Sequence, residues 1–223
     1  RAVVQEPERA QTLAQRARRD MVENWTWDQV AAIAENRLRK IGGALKRGDS
    51  PTGTSSASPL NEATSPNGVN VKWEGSQFVY HSLALVNREL CIELQKRDDV
   101  CLELVPYESQ QFSADTDNRF QALDTCMRTP LSHPADIHVR HQWPPKWDPP
   151  ASGKWVLIQP WEFGSVPVEW VENINAKVDE LWVPSAFVRQ QYVNSGVDES
   201  KVFVVPNGVN TWRYHPEAEP LPL

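Results

Sequence analysis

Cysteine is scarce in this chain: Cys91, Cys101 and Cys126 are the three among 223 residues. Their odd number and wide spacing argue against a disulfide framework and for buried, reduced thiols, which favours the cytosol over an oxidising compartment. Long apolar runs are missing as well. No stretch approaches the ~18 residues that span a bilayer and no signal peptide opens the chain, so no transmembrane segment is expected, although a peripheral place at a membrane stays open. Excess positive charge is absent too. With 23 Lys and Arg against 29 Asp and Glu, the net charge is -6, and no nucleic-acid partner is expected. There is no glycine-rich dinucleotide fingerprint and no Walker A string. His138-x-x-His141 comes nearest to a metal pair, but on a strand the two rings point to opposite faces and no third ligand accompanies them, so no metal is implied. Arg1 is not an initiator methionine, which suggests a fragment or a processed product.

What is present is concentrated in the last third. Leu181 to Val183 and Val202 to Val205 are short apolar, β-rich runs, as parallel strands covered on both faces should be. Between them lies one helix length, with Ser185 placed to cap its start and Gly196 to take the left-handed position at its end. Strand, helix and strand on short loops make a βαβ unit. Its crossover is expected to be right-handed, with the loops at the strands' carboxyl ends forming a ligand crevice.

The strings Asp179-Glu-Leu-Trp-Val-Pro-Ser185, Ser195-Gly-Val197 and Val205-Pro-Asn-Gly-Val-Asn210 resemble the end of the amino-terminal domain of retaining GT-B glycosyltransferases. The resemblance extends in arrangement over roughly 69–216 and is specific in its motifs from about Trp155 onward. It implies an acceptor-side domain of an enzyme that moves a sugar from a nucleotide-sugar donor to a hydroxyl acceptor. The nucleotide-sugar is then a co-substrate and no further cofactor is implied. A second, donor-binding Rossmann domain is expected beyond the chain, with 211–223 as the start of the hinge. In many members of that family the strand equivalent to Trp155–Ile158 ends in a histidine that contacts the donor sugar; Gln159 and Pro160 stand here instead, so no catalytic residue is carried over. The family's donor glutamates, spaced E-x7-E, have a chance counterpart in Glu172 and Glu180, one in an expected helix and the other heading a strand.

Residues 1–41 read as a pair of helices. Pro7 can open the first, and Ala10, Leu13, Ala14, Ala17 and Met21 recur at helical spacing. Thr26-Trp-Asp-Gln29 is a capping box for the second, which leaves Asn24-Trp-Thr26 as only a formal glycosylation sequon. Val30, Ala31, Ala34, Leu38 and Ile41 then fall on one side and need a partner surface. The pair resembles the carboxy-terminal helices of the same family, hence the tail of a preceding unit; an unrelated helical hairpin is the alternative. From Gly42 to Gly68, 16 of 27 residues are Gly, Pro, Ser or Thr, which predicts a disordered linker. From Val69 to Asn210 strands and helices alternate, so the expected architecture is an α/β fold, a doubly wound, mostly parallel, Rossmann-like sheet.

That order puts polar or glycine-bearing strings just after strands: Glu74-Gly-Ser76, Tyr107-Glu108, His141-Gln-Trp143, Gln159 to Ser165, Ser185 and Asn207-Gly208. In an open parallel sheet these share one edge. The candidate substrate-binding residues are therefore Gly75, Ser76, His141, Gln159, Glu162, Gly164, Ser185, Asn207 and Gly208. Gly75 either admits a ligand to the backbone or makes a tight turn. Glu74 reads as an exposed loop carboxylate. His141 is either a hydrogen-bonding group at the crevice or a satisfied structural histidine. Glu162 either accepts from acceptor hydroxyls or sits near a helix N-terminus. Trp143, Trp147 and Trp161 can stack on sugar C–H faces, though ten tryptophans make packing the commoner role. The alternative function is a non-catalytic carbohydrate-recognition module on the same fold, and a third is another Rossmann-type small-molecule domain.

Overall fold

The computed structural model describes residues 6–48 and 68–217. In chain order the elements are α1 (Pro7–Asn24), α2 (Trp27–Gly48), β1 (Val69–Gly75), α3 (Ser82–Leu94), β2 (Val100–Val105), α4 (Gln121–Arg128), β3 (Ile137–His141), β4 (Lys154–Ile158), α5 (Val168–Lys177), β5 (Glu180–Val183), α6 (Ala186–Asn194) and β6 (Val202–Val204). All six strands pair in parallel, in the order β2-β1-β3-β4-β5-β6. Helices flank this sheet, which makes the fold α/β, Rossmann-like and doubly wound. No helix among the described residues is long and apolar enough to cross a membrane.

Strand register divides the core in two. Along β4 and β5, Trp155, Leu157, Leu181 and Val183 face one cluster with Ile174, Val188 and Tyr192, while Val156 and Trp182 face the other. The second cluster takes in Val71, Trp73, Ile137 and Val139 of the sheet together with Leu90 and Leu94 of α3. It also contains Val30, Ala31, Ala34 and Leu38, each without exposed surface. The apolar stripe of α2 thus finds its partner on the sheet itself, and α2 shares one core with 69–205. Arg37 of α2 adds a polar tie, bonding through Nη2 and Nε to the carboxylate of Glu180, which also accepts from Trp182 Nε1 at 3.0 Å. The Arg37 guanidinium lies 3.5 Å from the Phe203 ring centroid. By contrast α1 buries none of its residues.

Local signals set the element ends. Gln29 N donates to Thr26 Oγ1 at 3.4 Å and Thr26 N to Gln29 Oε1 at 2.8 Å, the reciprocal capping box at the head of α2. Ser185 Oγ accepts from Val188 N at 3.2 Å, and Gly196 ends α6 at φ 103°. Two boundaries differ from the sequence expectation. Helix α2 continues to Gly48, into the stretch expected to be linker; the rest of that stretch, 49–67, lies outside the described residues. Val79, Leu83, Val86, Leu90 and Leu94 recur at helical spacing and predict a helix that includes Val79, but it begins only at Ser82, because His81 is extended and caps it, its Nδ1 accepting from Ala84 N at 3.2 Å.

Glu74 is not a loop carboxylate. It belongs to β1, opposite Arg140 of β3, on the sheet face where β1 and β3 carry Lys72, His138 and Arg140 beside the Trp155 and Leu157 side chains of β4. His138 Nε2 lies 3.2 Å and Arg140 Nε 2.9 Å from Glu74 Oε2. The His138 hydrogen bond and the Arg140 charge outweigh desolvation and hold the Glu74 carboxyl at about 2, below its ordinary 4.5. A carboxyl with a depressed folded pKa stabilises fully above its unfolded value and loses that contribution as pH falls. Stability is therefore expected to drop between about 4.5 and about 2, with a shallower drop in Glu74→Gln. Superimposable acid-denaturation profiles of the two proteins would remove Glu74 from this account.

Candidate functional site

The strand order reverses between β1 and β3. From β1 the chain runs outward to β2, then crosses back to β3 and continues to β6. The carboxyl ends of these two neighbours, Gly75 and His141, pair in register, so the switch point at which open α/β sheets bind ligands falls at these residues. A cavity of about 320 Å³ opens beside His141, between α3 and the carboxyl ends of β4, β5 and β6. His141, Glu162 and Asn207, predicted from three separate loops, all line it. Trp161 and the α3 residues Leu83 and Val86 form part of its wall.

Behind His141 stands a residue that sequence reasoning passed over. Asn87 of α3 is fully buried. Its Nδ2 donates to the Ser76 carbonyl at 2.9 Å, and its Oδ1 lies 3.0 Å from Trp73 Nε1 and 2.8 Å from His141 Nδ1. A carbonyl only accepts and an indole N–H only donates, so this network orients the amide. Oδ1 then requires a donor at His141 Nδ1, which leaves the lone pair on Nε2. Burial, with the nearby His81 as a smaller cause, pushes His141 down to about 3. The imidazole is neutral at physiological pH, and Nε2 is an acceptor held in one tautomer. The signal for Asn87 was legible: a lone amide among Leu83, Val86, Leu90 and Leu94 on the apolar stripe of an amphipathic helix.

Gly75 is spacer and switch-point residue at once. A Cβ there would stand 2.6 Å from Asn87 Nδ2 and 2.8 Å from the His141 carbonyl oxygen, so even alanine would push α3 off β1. The close approach that demands glycine is by the protein's own helix. Ser76, 3% exposed, turns toward a separate hollow of about 300 Å³ with His81, Tyr107, Glu108 and Trp143. Its hydroxyl donates to Glu108 Oε1, which also receives His81 Nε2 at 2.9 Å. These two hydrogen bonds hold the Glu108 carboxyl below its ordinary value. This is not a nucleophilic triad, because the serine bonds the carboxylate and not the imidazole.

Neither protein-family models, nor curated proteins, nor solved structures give a match to this chain.

The remaining predicted residues take structural places. Gln159 is fully buried, and its amide has no hydrogen-bond partner among the described residues. Gly164 has open space around its Cα and accepts Trp161 Nε1 through its carbonyl at 3.1 Å. Ser185 spends its hydroxyl on the α6 cap. Gly208 is pressed against Trp27, where a Cβ would meet the Trp27 backbone at 2.7 Å. Trp143, Trp147 and Trp161 all pack edge-on to Trp170, with centroids 5.5, 6.0 and 5.2 Å away. Of these three, Trp161 also presents surface to the cavity. Glu180 is committed to Arg37, and Glu172 is exposed on α5. Among the described residues no cluster of three or more His, Cys, Asp or Glu is placed to hold a metal ion.

Proposed function

We propose that this domain is the acceptor side of a retaining glycosyltransferase. In this reading a sugar passes from a nucleotide-sugar to a hydroxyl acceptor held at the switch point of the sheet, while the nucleotide is bound by a second domain. The observation that supports it most is the charge of the cavity. No Lys or Arg lines it, so nothing there neutralises the diphosphate that leaves during transfer, a task that needs cations or aimed N–H groups. A neutral acceptor oxygen instead matches the fixed lone pair of His141, with Glu162 and Asn207 as further polar groups at the rim. The chain's own contribution is binding and orientation, which brings the hydroxyl into line with a donor positioned from the other side. A cytoplasmic setting belongs to the same proposal, since Cys91, Cys101 and Cys126 are free.

One observation favours a second reading, a carbohydrate-recognition module without chemistry: the loop after β4 buries Gln159 and gives the cavity no histidine of its own. A radiolabel assay separates the two. A polypeptide that continues past residue 223 is incubated with UDP- and GDP-sugars and a panel of hydroxyl acceptors. Label transfer is expected from the longer protein and none from residues 1–223 alone. Transfer by the short chain would refute the division of labour, and sugar binding without turnover by the longer one would favour the module.

A further inference from the structure

The cavity at the switch point has the wrong walls for a free sugar. Leu83, Val86 and Leu90 of α3, Ile158 at the end of β4, Val188 of α6 and Val205 line it together with Trp161 and three prolines. Three of these, Leu83, Val86 and Ile158, are only half-buried although they face the interior of an α/β sandwich. Apolar side chains left open at a concave interior surface are what a small-molecule site offers to the apolar body of a ligand, with a few polar groups to orient it. At about 320 Å³ it lies at the lower end of the roughly 300–1,000 Å³ of such sites.

The polar groups narrow the class further. Asn87 fixes the proton of His141 on Nδ1, so Nε2 can only accept, and the ligand must bring an O–H or N–H donor. A carboxylate or phosphate would set lone pair against lone pair with no cation lining the cavity. An ammonium would have to leave water for apolar walls, since Glu162 is an exposed side chain at the mouth. A free hexose would press several hydroxyls against Leu83, Val86 and Val188, which return no hydrogen bonds.

Resting on the acceptor-side reading above, we infer that the acceptor is a neutral alcohol with an apolar body, an aromatic or aliphatic aglycone whose hydroxyl donates to His141 Nε2. The apolar body lies along α3 between Leu83 and Leu90. Glu162 and Asn207, both exposed at the rim, meet whatever polar part extends toward the donor.

Saturation-transfer NMR on the protein with four probes tests this: 1-naphthylmethanol, 1-methylnaphthalene without the hydroxyl, 1-naphthoate with a charge, and methyl β-D-glucopyranoside without the apolar body. The alcohol is expected to bind at least about tenfold more tightly than each of the others, the factor that one hydrogen bond or one misplaced charge commands. Val86→Trp, which fills the cavity from an open position, is expected to abolish binding while leaving the melting temperature within a few degrees. Deleting the hydroxyl from the probe removes the His141 contact without risk to folding. Equal binding of 1-methylnaphthalene would overturn the His141 role, and equal binding of the glucoside would overturn the acceptor class. Failure of all four probes to bind would overturn the cavity as the acceptor site. The longer polypeptide's nucleotide-sugar turnover is read in parallel. Transfer to sugars but not to 1-naphthylmethanol leaves glycosyl transfer standing and sinks only the acceptor class; alcohol binding without any turnover does the reverse.

Discussion

Asn87→Ala is expected to lower the stability of the domain by roughly 3–5 kcal/mol, because one amide serves three groups. Its loss strands the Trp73 indole N–H, the His141 Nδ1–H and the Ser76 carbonyl, all of buried residues. Each buried group left without a partner costs about 1–3 kcal/mol, and the deleted side chain leaves a void besides. For a chain of this size that corresponds to a fall in melting temperature of about 10 °C. Urea unfolding monitored by tryptophan fluorescence measures it, with exposed Glu172→Ala as the control that should stay within about 0.5 kcal/mol of wild type. A second signature is specific to the network: the ¹⁵N shifts of His141 should show a proton fixed on Nδ1 in wild type and a tautomer mixture in the variant. A loss below about 1 kcal/mol, or an unchanged tautomer, would end the claim that Asn87 organises this edge.

The other large effect is expected across the sheet, at Arg37. Arg37→Ala leaves the Glu180 carboxylate, 8% exposed, with the Trp182 indole as its remaining hydrogen-bond partner. Removing one member of a buried ion pair costs about 3–5 kcal/mol, whereas replacing both by apolar residues is often near neutral. Arg37→Leu with Glu180→Leu should therefore recover most of what Arg37→Ala loses. A double-mutant cycle of chemical denaturation checks it: a neutral Arg37→Ala would show that α2 is held by its apolar stripe alone.

Periodicity and capping were easy to read because they are local. Ser185, Gly196 and the Thr26–Gln29 box carry their reasons within four residues of sequence, and each stands where those reasons put it. The alternation of strands and helices likewise led to the right sheet, since a parallel ladder needs its crossovers. The convergence of His141, Glu162 and Asn207 on one cavity followed from a topological rule, that loops at strand carboxyl ends share an edge. What stayed hidden was every contact between residues far apart in the chain. Nothing in the local sequence says that Arg140 and His138 will reach Glu74, so a strand carboxylate passed for a loop one. Gly75 was read as a place of ligand approach or a tight turn and Gly208 as a site residue, when Asn87 and Trp27 occupy the space beside them. The α2 stripe announced that it needed a partner without naming it, and its partner turned out to be the sheet.

The contact between Gly208 and Trp27 bears on where this protein can be cut. The segment that leaves β6 runs against the junction of α1 and α2: Val209 N donates to the Trp25 carbonyl at 2.8 Å, and Thr26 and Val209 form a parallel bridge. The two ends of the fold are thereby latched together, although more than 180 residues separate them. A recombinant protein begun at Val69, the boundary that composition alone recommends, would keep all six strands and lose the lid on one face of the sheet. It would also free the exit segment from its seat. A soluble monomer of 69–217 on size-exclusion chromatography would show the latch to be dispensable; aggregation, cured by starting before Pro7, is the outcome this geometry dictates.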